Sequence, residues 1–119
     1  MTYVNGFLLP VPKANKATYT EMAKAAARIF RAHGALSVVE NWGVDVPDGT
    51  HTSFPMAVKL EEGEAVVFSW TTWPDKATAD SGLAAAMPEL DDMMKTHGVM
   101  EMLDGKRMIF GGFETIVSD

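Results

Sequence analysis

Glu64 to Trp73 reads EAVVFSWTTW, and this stretch decides the fold. It is rich in β-branched and aromatic residues and is bounded by Gly63 and Pro74, the marks of a strand. Side chains alternate across a strand. Val66, Phe68 and Trp70 share one face, and Ala65, Val67, Ser69, Thr71 and Trp73 share the other. A strand with one face in water shows polar residues on that side, and neither face here is clearly polar. The stretch therefore reads as the central strand of a sheet covered on both sides.

Working outward, Tyr3 to Val11 reads as a first strand, with Tyr3, Asn5, Phe7 and Leu9 on one face and Pro10 and Pro12 ending it. Asn15 to His33 reads as a helix capped by Asn15, with an apolar stripe of Tyr19, Met22, Ala23, Ala26, Phe30 and His33 and a closing Gly34. Ala35 to Val46 reads as a second strand in which Leu36, Val38, Glu40 and Trp42 share a face. The loop Asp45 to Pro55 follows, long enough for a lid or a partner-binding arm. Met56 to Glu61 reads as a short extra strand, turning at Glu62-Gly63 into the central one.

After Pro74, Asp75 caps a second helix that turns Ala77, Leu83, Ala84, Met87, Leu90 and Met94 inward, with a break or kink expected near Met87 because of Pro88. Thr96 to Lys106 reads as a connection. Arg107 to Val117 reads as the last strand. Its paired Gly111 and Gly112 mark either a bulge, the favoured reading, or a close approach. The fold class is thus α+β: a ferredoxin-like βαββαβ chain with an antiparallel sheet.

A length of 119 residues makes one domain, residues 1–119, able to bury roughly two-thirds of its unfolded surface. The net charge of −6 and the lack of a basic block argue against nucleic acid. With no cysteine there is no disulfide, thiolate nucleophile or thiolate-bound metal. No apolar run reaches the roughly 18 residues of a membrane span. No signal-peptide pattern precedes the first strand, so a cytoplasmic protein is expected. The nine methionines read as core filler, with Met93, Met94, Met100 and Met102 clustered late.

Two helices cover one face of a four-stranded sheet, and nothing in the chain remains for the other. An apolar face of several hundred Å² is unusual for a monomer. A second copy across a two-fold axis is the simplest cover, so a homodimer is expected.

YVNGFLLPVP at Tyr3 to Pro12, HGAL at His33 to Leu36, DVPDGTHTSFPMAVKL at Asp45 to Leu60, VVFSW at Val66 to Trp70 and DGKRMIFGGFE at Asp104 to Glu114 together resemble the DUF1428 family. The resemblance implies a dimeric α/β barrel and no particular function. The wider superfamily includes cofactor-independent quinone-forming monooxygenases, haem-degrading monooxygenases, small lactone isomerases and chlorite-dismutase-like proteins. Haem-degrading members use an Asn on strand one, a Trp on strand three and an iron-ligating His on the next helix. Asn5 and Trp70 occupy similar places, but the helical position holds Asp80. No cofactor is expected.

Glu40, between Val38 and Trp42, is the leading candidate for acid–base chemistry, since desolvation raises a carboxyl pKa. The plainer reading is an edge carboxylate, or one paired with Lys59 or Arg107. Arg107 is a candidate anchor for a small anionic or quinone-like ligand, or else half of an ion pair across a dimer. Tyr3, Asn5, Trp42, Trp70 and Phe110 complete the candidate pocket, against plain core packing. His33 reads as a helix cap. Asp45, Asp48 and His51 read as turn residues rather than metal ligands, and Ser53 and Ser69 lack a nucleophile signature. Two functions follow: a cofactor-independent oxygenase or isomerase-like enzyme, or a dimeric binding module using the Asp45 to Pro55 loop.

Overall fold

The computed structural model describes residues 2–98 and 103–119. The elements run β1 (Tyr3–Pro12), α1 (Lys16–Ala32), β2 (Ser37–Trp42), a single helical turn α2 (Phe54–Ala57), β3 (Glu64–Trp73), α3 (Lys76–His97) and β4 (Ile109–Glu114). The four strands form one antiparallel sheet in the order β2-β3-β1-β4. β3 and β1 are central and pair along their whole length, from Tyr3↔Trp73 to Pro12↔Glu64. This is the expected α+β, ferredoxin-like arrangement.

Alternation assigns the faces. The odd-numbered residues of β1 and β3 meet the helices, and Val11, Val67 and Trp73 are within 1% of full burial. Leu9, Val11 and Val67 pack with Tyr19, Met22 and Ala23 of α1. Trp73 packs with Ala35 and Ala79, and Phe30 meets its ring edge-on at 6.5 Å and 89°. Each large apolar side chain so buried contributes roughly 1.5–3 kcal/mol. No helix among the described residues is long and apolar enough to cross a membrane.

Several local expectations are corrected. Met56 to Glu61 is not a strand. Ser53 instead caps α2, its hydroxyl accepting from the Met56 N–H at 3.1 Å with Pro55 in the first turn. The turn sets Phe54 against Phe68, ring centroids 5.7 Å apart. The loop after β2 therefore folds back over one end of the second face, where Pro10, Val58 and Val66 are buried. Asn15 holds the position before α1 without a side-chain cap bond. His33 takes the C-cap, and Gly34 follows at a φ of +109°.

β2 stops at Trp42, and β4 spans only Ile109–Glu114, so Arg107 lies outside it. α3 runs unbroken through Pro88. Pro88 and Ala84 lie on its solvent face, so water can serve the carbonyl that the missing N–H leaves unpaired. Its inward stripe is Ala79, Gly82, Ala86 and Leu90, while Ala77, Ala84 and Met87 face out. Gly82 is required there, because a Cβ would come within 2.4 Å of the Trp73 ring.

The β4 glycines form no bulge. The register runs evenly through Asn5↔Gly112 and Gly6↔Gly111. They mark a close approach instead: a Cβ on Gly112 would fall 1.7 Å from the Tyr3 hydroxyl, whose ring lies over it. Met100 and Met102, and part of the Thr96 to Lys106 connection, lie outside the described residues.

Candidate functional site

Glu40 sits on β2, an edge strand, directly opposite Ser69 of β3 and on the face that α1 covers. Tyr19, buried one turn into α1, donates its hydroxyl to Glu40 Oε1. Glu40 as a whole keeps an exposed surface along the sheet edge, but its carboxyl is tied to a phenol that is only 6% exposed. The carboxyl is the part that matters for protonation. Burial pushes its pKa above the usual carboxylate range, and hydrogen bonds from Tyr19 and Ser69 pull it partly back. Burial, with the Glu40 charge adding to it, pushes the Tyr19 hydroxyl far up, so the phenol stays a neutral donor.

Beside this pair a cavity of about 240 Å³ opens between α1 and the β2-β3 edge. Val38, Trp42, Val67, Ala23 and Ala27 give it apolar walls. The Trp42 and Tyr19 rings are 6.5 Å apart. Lys16 and Lys24 stand at the rim, with Lys16 Nζ 5.5 Å from the centre of the Trp42 ring. A carboxyl of raised proton affinity, held in place by neutral donors at the wall of a small apolar cleft, can take or give a proton.

The other predicted site residues lie elsewhere. Trp70 pairs with Val39 and projects from the opposite face, edge-on to Phe68 at 5.3 Å. Phe110 stacks on Phe7 at the β4 edge and is 73% exposed. Tyr3 and Asn5 share the inner face but lie beyond the cavity, and Asn5 Oδ1 is buried with no partner among the described residues.

Arg107 is engaged within the chain through four of its five N–H donors. Its two terminal nitrogens meet both Glu64 carboxylate oxygens at 2.8 Å, its Nε donates to Asp104 at 2.8 Å, and Nη1 also donates to the Lys59 carbonyl at 3.0 Å. The guanidinium holds the Glu64 and Asp104 carboxyls below their usual range. Glu64 is five strand positions from Ser69, or roughly 17 Å at about 3.3 Å per residue, so the clamp is remote from Glu40. Thus Glu40 and Trp42 come together, while Trp70, Phe110 and Arg107 do not join them.

Sequence reasoning missed Tyr19, Ser69 and Lys16. One signal pointed to Tyr19: a phenol on an apolar stripe needs a partner, and an inward-facing Glu needs a donor. His33 pairs with Glu89 and ties the end of α1 to α3. Among the described residues no group of three His, Asp or Glu side chains is placed to hold a metal ion.

The second face is a groove of about 760 Å³ along Val4, Gly6, Leu8, Phe68, Trp70 and Ile109, rimmed by Phe54 and Phe113. Among the described residues that line it, none is charged.

A family model described as "Protein of unknown function (DUF1428)" matches residues 2–105. The chain belongs to this family. It is 50% identical over 119 residues to the uncharacterized protein YbaA of Escherichia coli strain K12, with each chain covered completely. Among solved structures it is similar to SnoaB, described as a cofactor-independent oxygenase from Streptomyces nogalater. The TM-score is 0.64 at 13% identity, covering 98% of this chain and 95% of that one. It is also similar to Rv0793 from Mycobacterium tuberculosis, with a TM-score of 0.59 at 13% identity, covering 99% and 98%. At such identities the structural likeness speaks for the fold alone.

Proposed function

We propose that this DUF1428 protein is a cytoplasmic homodimeric enzyme of the cofactor-independent oxygenase or isomerase type, with Glu40 as its acid–base residue. The Tyr19–Glu40 pair at the wall of the 240 Å³ cleft is the observation that carries this reading. The Glu40 carboxylate takes a proton from an acidic O–H or C–H of the substrate, and the Tyr19 and Ser69 hydroxyls fix its direction. The resulting substrate anion either reacts with dioxygen or regains a proton at another carbon. This first step is common to both reaction types and needs no metal. Trp42 and the aliphatic wall give the reacting atoms an apolar side. The similar fold of SnoaB, described as a cofactor-independent oxygenase, supports the reading.

The dimer rests on the uncharged groove. Leaving Phe68, Ile109 and Phe113 at 42–61% exposure on one continuous face is costly in water, and a second copy covers it. Light scattering at micromolar concentration is expected to give twice the chain mass, and Phe68→Lys to give the monomer. A wild-type monomer would remove the dimer.

The enzyme reading is tested by a metabolite screen using thermal shift, followed by turnover assays on each hit. Glu40→Gln is expected to lower turnover about 10²–10⁴-fold, the usual contribution of general acid–base catalysis. Unchanged turnover in that variant would retire the site.

A further inference from the structure

The stretch from Lys13 to Ala32 carries Lys13, Lys16, Lys24, Arg28 and Arg31, half of the lysines and arginines of a chain whose net charge is −6. Glu21 is its one acid. All five cationic residues are exposed, and two of them, Lys16 and Lys24, reach the rim of the cleft. Lys24 is engaged by Glu21 at 3.1 Å. Lys16 makes no ion pair with any described residue and lies over the Trp42 ring instead. An acidic protein thus presents a cationic ridge along the one helix that borders its cleft. A low-dielectric cleft beside such a ridge concentrates the field and draws in anions.

The cleft carries opposite charges. Lys16 lies over the Trp42 ring, and the Glu40 carboxyl, bonded by Tyr19, lines the same cleft. A ligand carrying a charge at one end and a protic group at the other has a single favourable orientation, because Glu40 repels the charged end and Lys16 attracts it. The volume of 240 Å³ equals about eight waters at ~30 Å³ each, which suits one ring with small substituents. The flat indole and the aliphatic wall favour a planar ring. Among the described residues that line the cleft there is no arginine fork, as phosphate recognition would favour.

We infer that the cleft takes a small planar organic anion of the hydroxyaryl carboxylate class, its carboxylate on Lys16, its ring against Trp42 and its hydroxyl on Glu40. This assignment rests on the reading of the cleft as the active site, and it moves the anion anchor from Arg107, whose donors are committed to Glu64, Asp104 and Lys59, to Lys16.

The test uses the full-length protein labelled with ¹⁵N. The Trp42 indole N–H signal, assigned with Trp42→Phe, is followed during titration with 4-hydroxybenzoate, benzoate and phenol. The inference expects 4-hydroxybenzoate to bind about tenfold more tightly than phenol and to weaken as salt is raised. Lys16→Gln is expected to remove that advantage, so that the variant binds 4-hydroxybenzoate no more tightly than it binds phenol. Glu40→Gln is expected to reduce the preference for 4-hydroxybenzoate over benzoate. Equal binding of phenol and 4-hydroxybenzoate, with Lys16→Gln silent, would overturn the anion assignment while leaving the cleft a binding site. A Trp42 signal unmoved by all three compounds would overturn both the assignment and the active-site reading.

Discussion

Glu40 and Glu64 are two glutamates of one small sheet, and they are held in opposite ways. Glu64 faces a guanidinium through two parallel hydrogen bonds of 2.8 Å, and Asp104 grips the same Arg107 from another side. Its proton affinity falls. Among the described residues Glu40 is hydrogen-bonded by the Tyr19 hydroxyl, with Ser69 facing it across the strand pair, and burial drives its proton affinity up. Neutral donors orient a carboxylate without cancelling its charge, whereas a guanidinium does both. The Arg107 cluster is therefore a structural tie between the start of β3 and the approach to β4, and the Tyr19–Glu40 pair is where the proposed proton exchange would take place.

Three perturbations break or sharpen this contrast. The largest effect belongs to Arg107→Met, which strands Glu64 and Asp104 as unpaired carboxylates. It is expected to lower the melting temperature well below that of Glu40→Gln while leaving the Trp42 indole signal and any turnover unchanged. Loss of turnover without loss of stability would reverse the roles of the two sites.

Tyr19→Phe comes next. It deletes one part-buried hydrogen bond, worth about 1 kcal/mol in a urea melt. It also removes a bond that holds the Glu40 pKa down, so the acid limb of a pH–rate profile is expected to move to higher pH. A limb that stays in place would show that Tyr19 does not control Glu40.

The smallest effect is on acid stability. Glu64 and Asp104 have folded-state pKa values below their unfolded ones. Their contribution is present above the ordinary carboxylate range and fades as pH falls through the lowered values. Urea midpoints measured from about pH 6 to about pH 2 are expected to fall more steeply for the wild type than for Arg107→Met. Parallel curves would mean that the clamp does not set these pKa values.

Much of the fold was legible because period and punctuation agreed. EAVVFSWTTW between Gly63 and Pro74 is the central strand, and Asp75 caps the helix after it, accepting from the Thr78 N–H at 2.7 Å. The apolar run from Met56 misled because a four-residue turn has too short a period to read, although Ser53 before Pro55 carried the cap signal. Pro88 causes no break because the carbonyl it frees lies on the solvent face, which the sequence alone does not tell.

The site was legible in its carboxylate and its indole, since alternation alone puts Glu40 beside Trp42. Trp70 was grouped with them because sidedness across strands depends on register, and the pairing Val39↔Trp70 could not be read from either strand alone. Tyr19 and Lys16 come from a helix whose rotation over the sheet is set by tertiary packing. Their convergence on Glu40 left no local mark.

The direct measurement is a carboxyl-detected NMR titration that follows Glu40 and Glu64 in the same sample, each assigned with its Gln variant. Glu40 is expected to titrate above the ordinary glutamate value of about 4.3 and Glu64 below it. Coincident curves, or the reverse order, would contradict the claim that one glutamate is kept for proton transfer and the other for holding the fold.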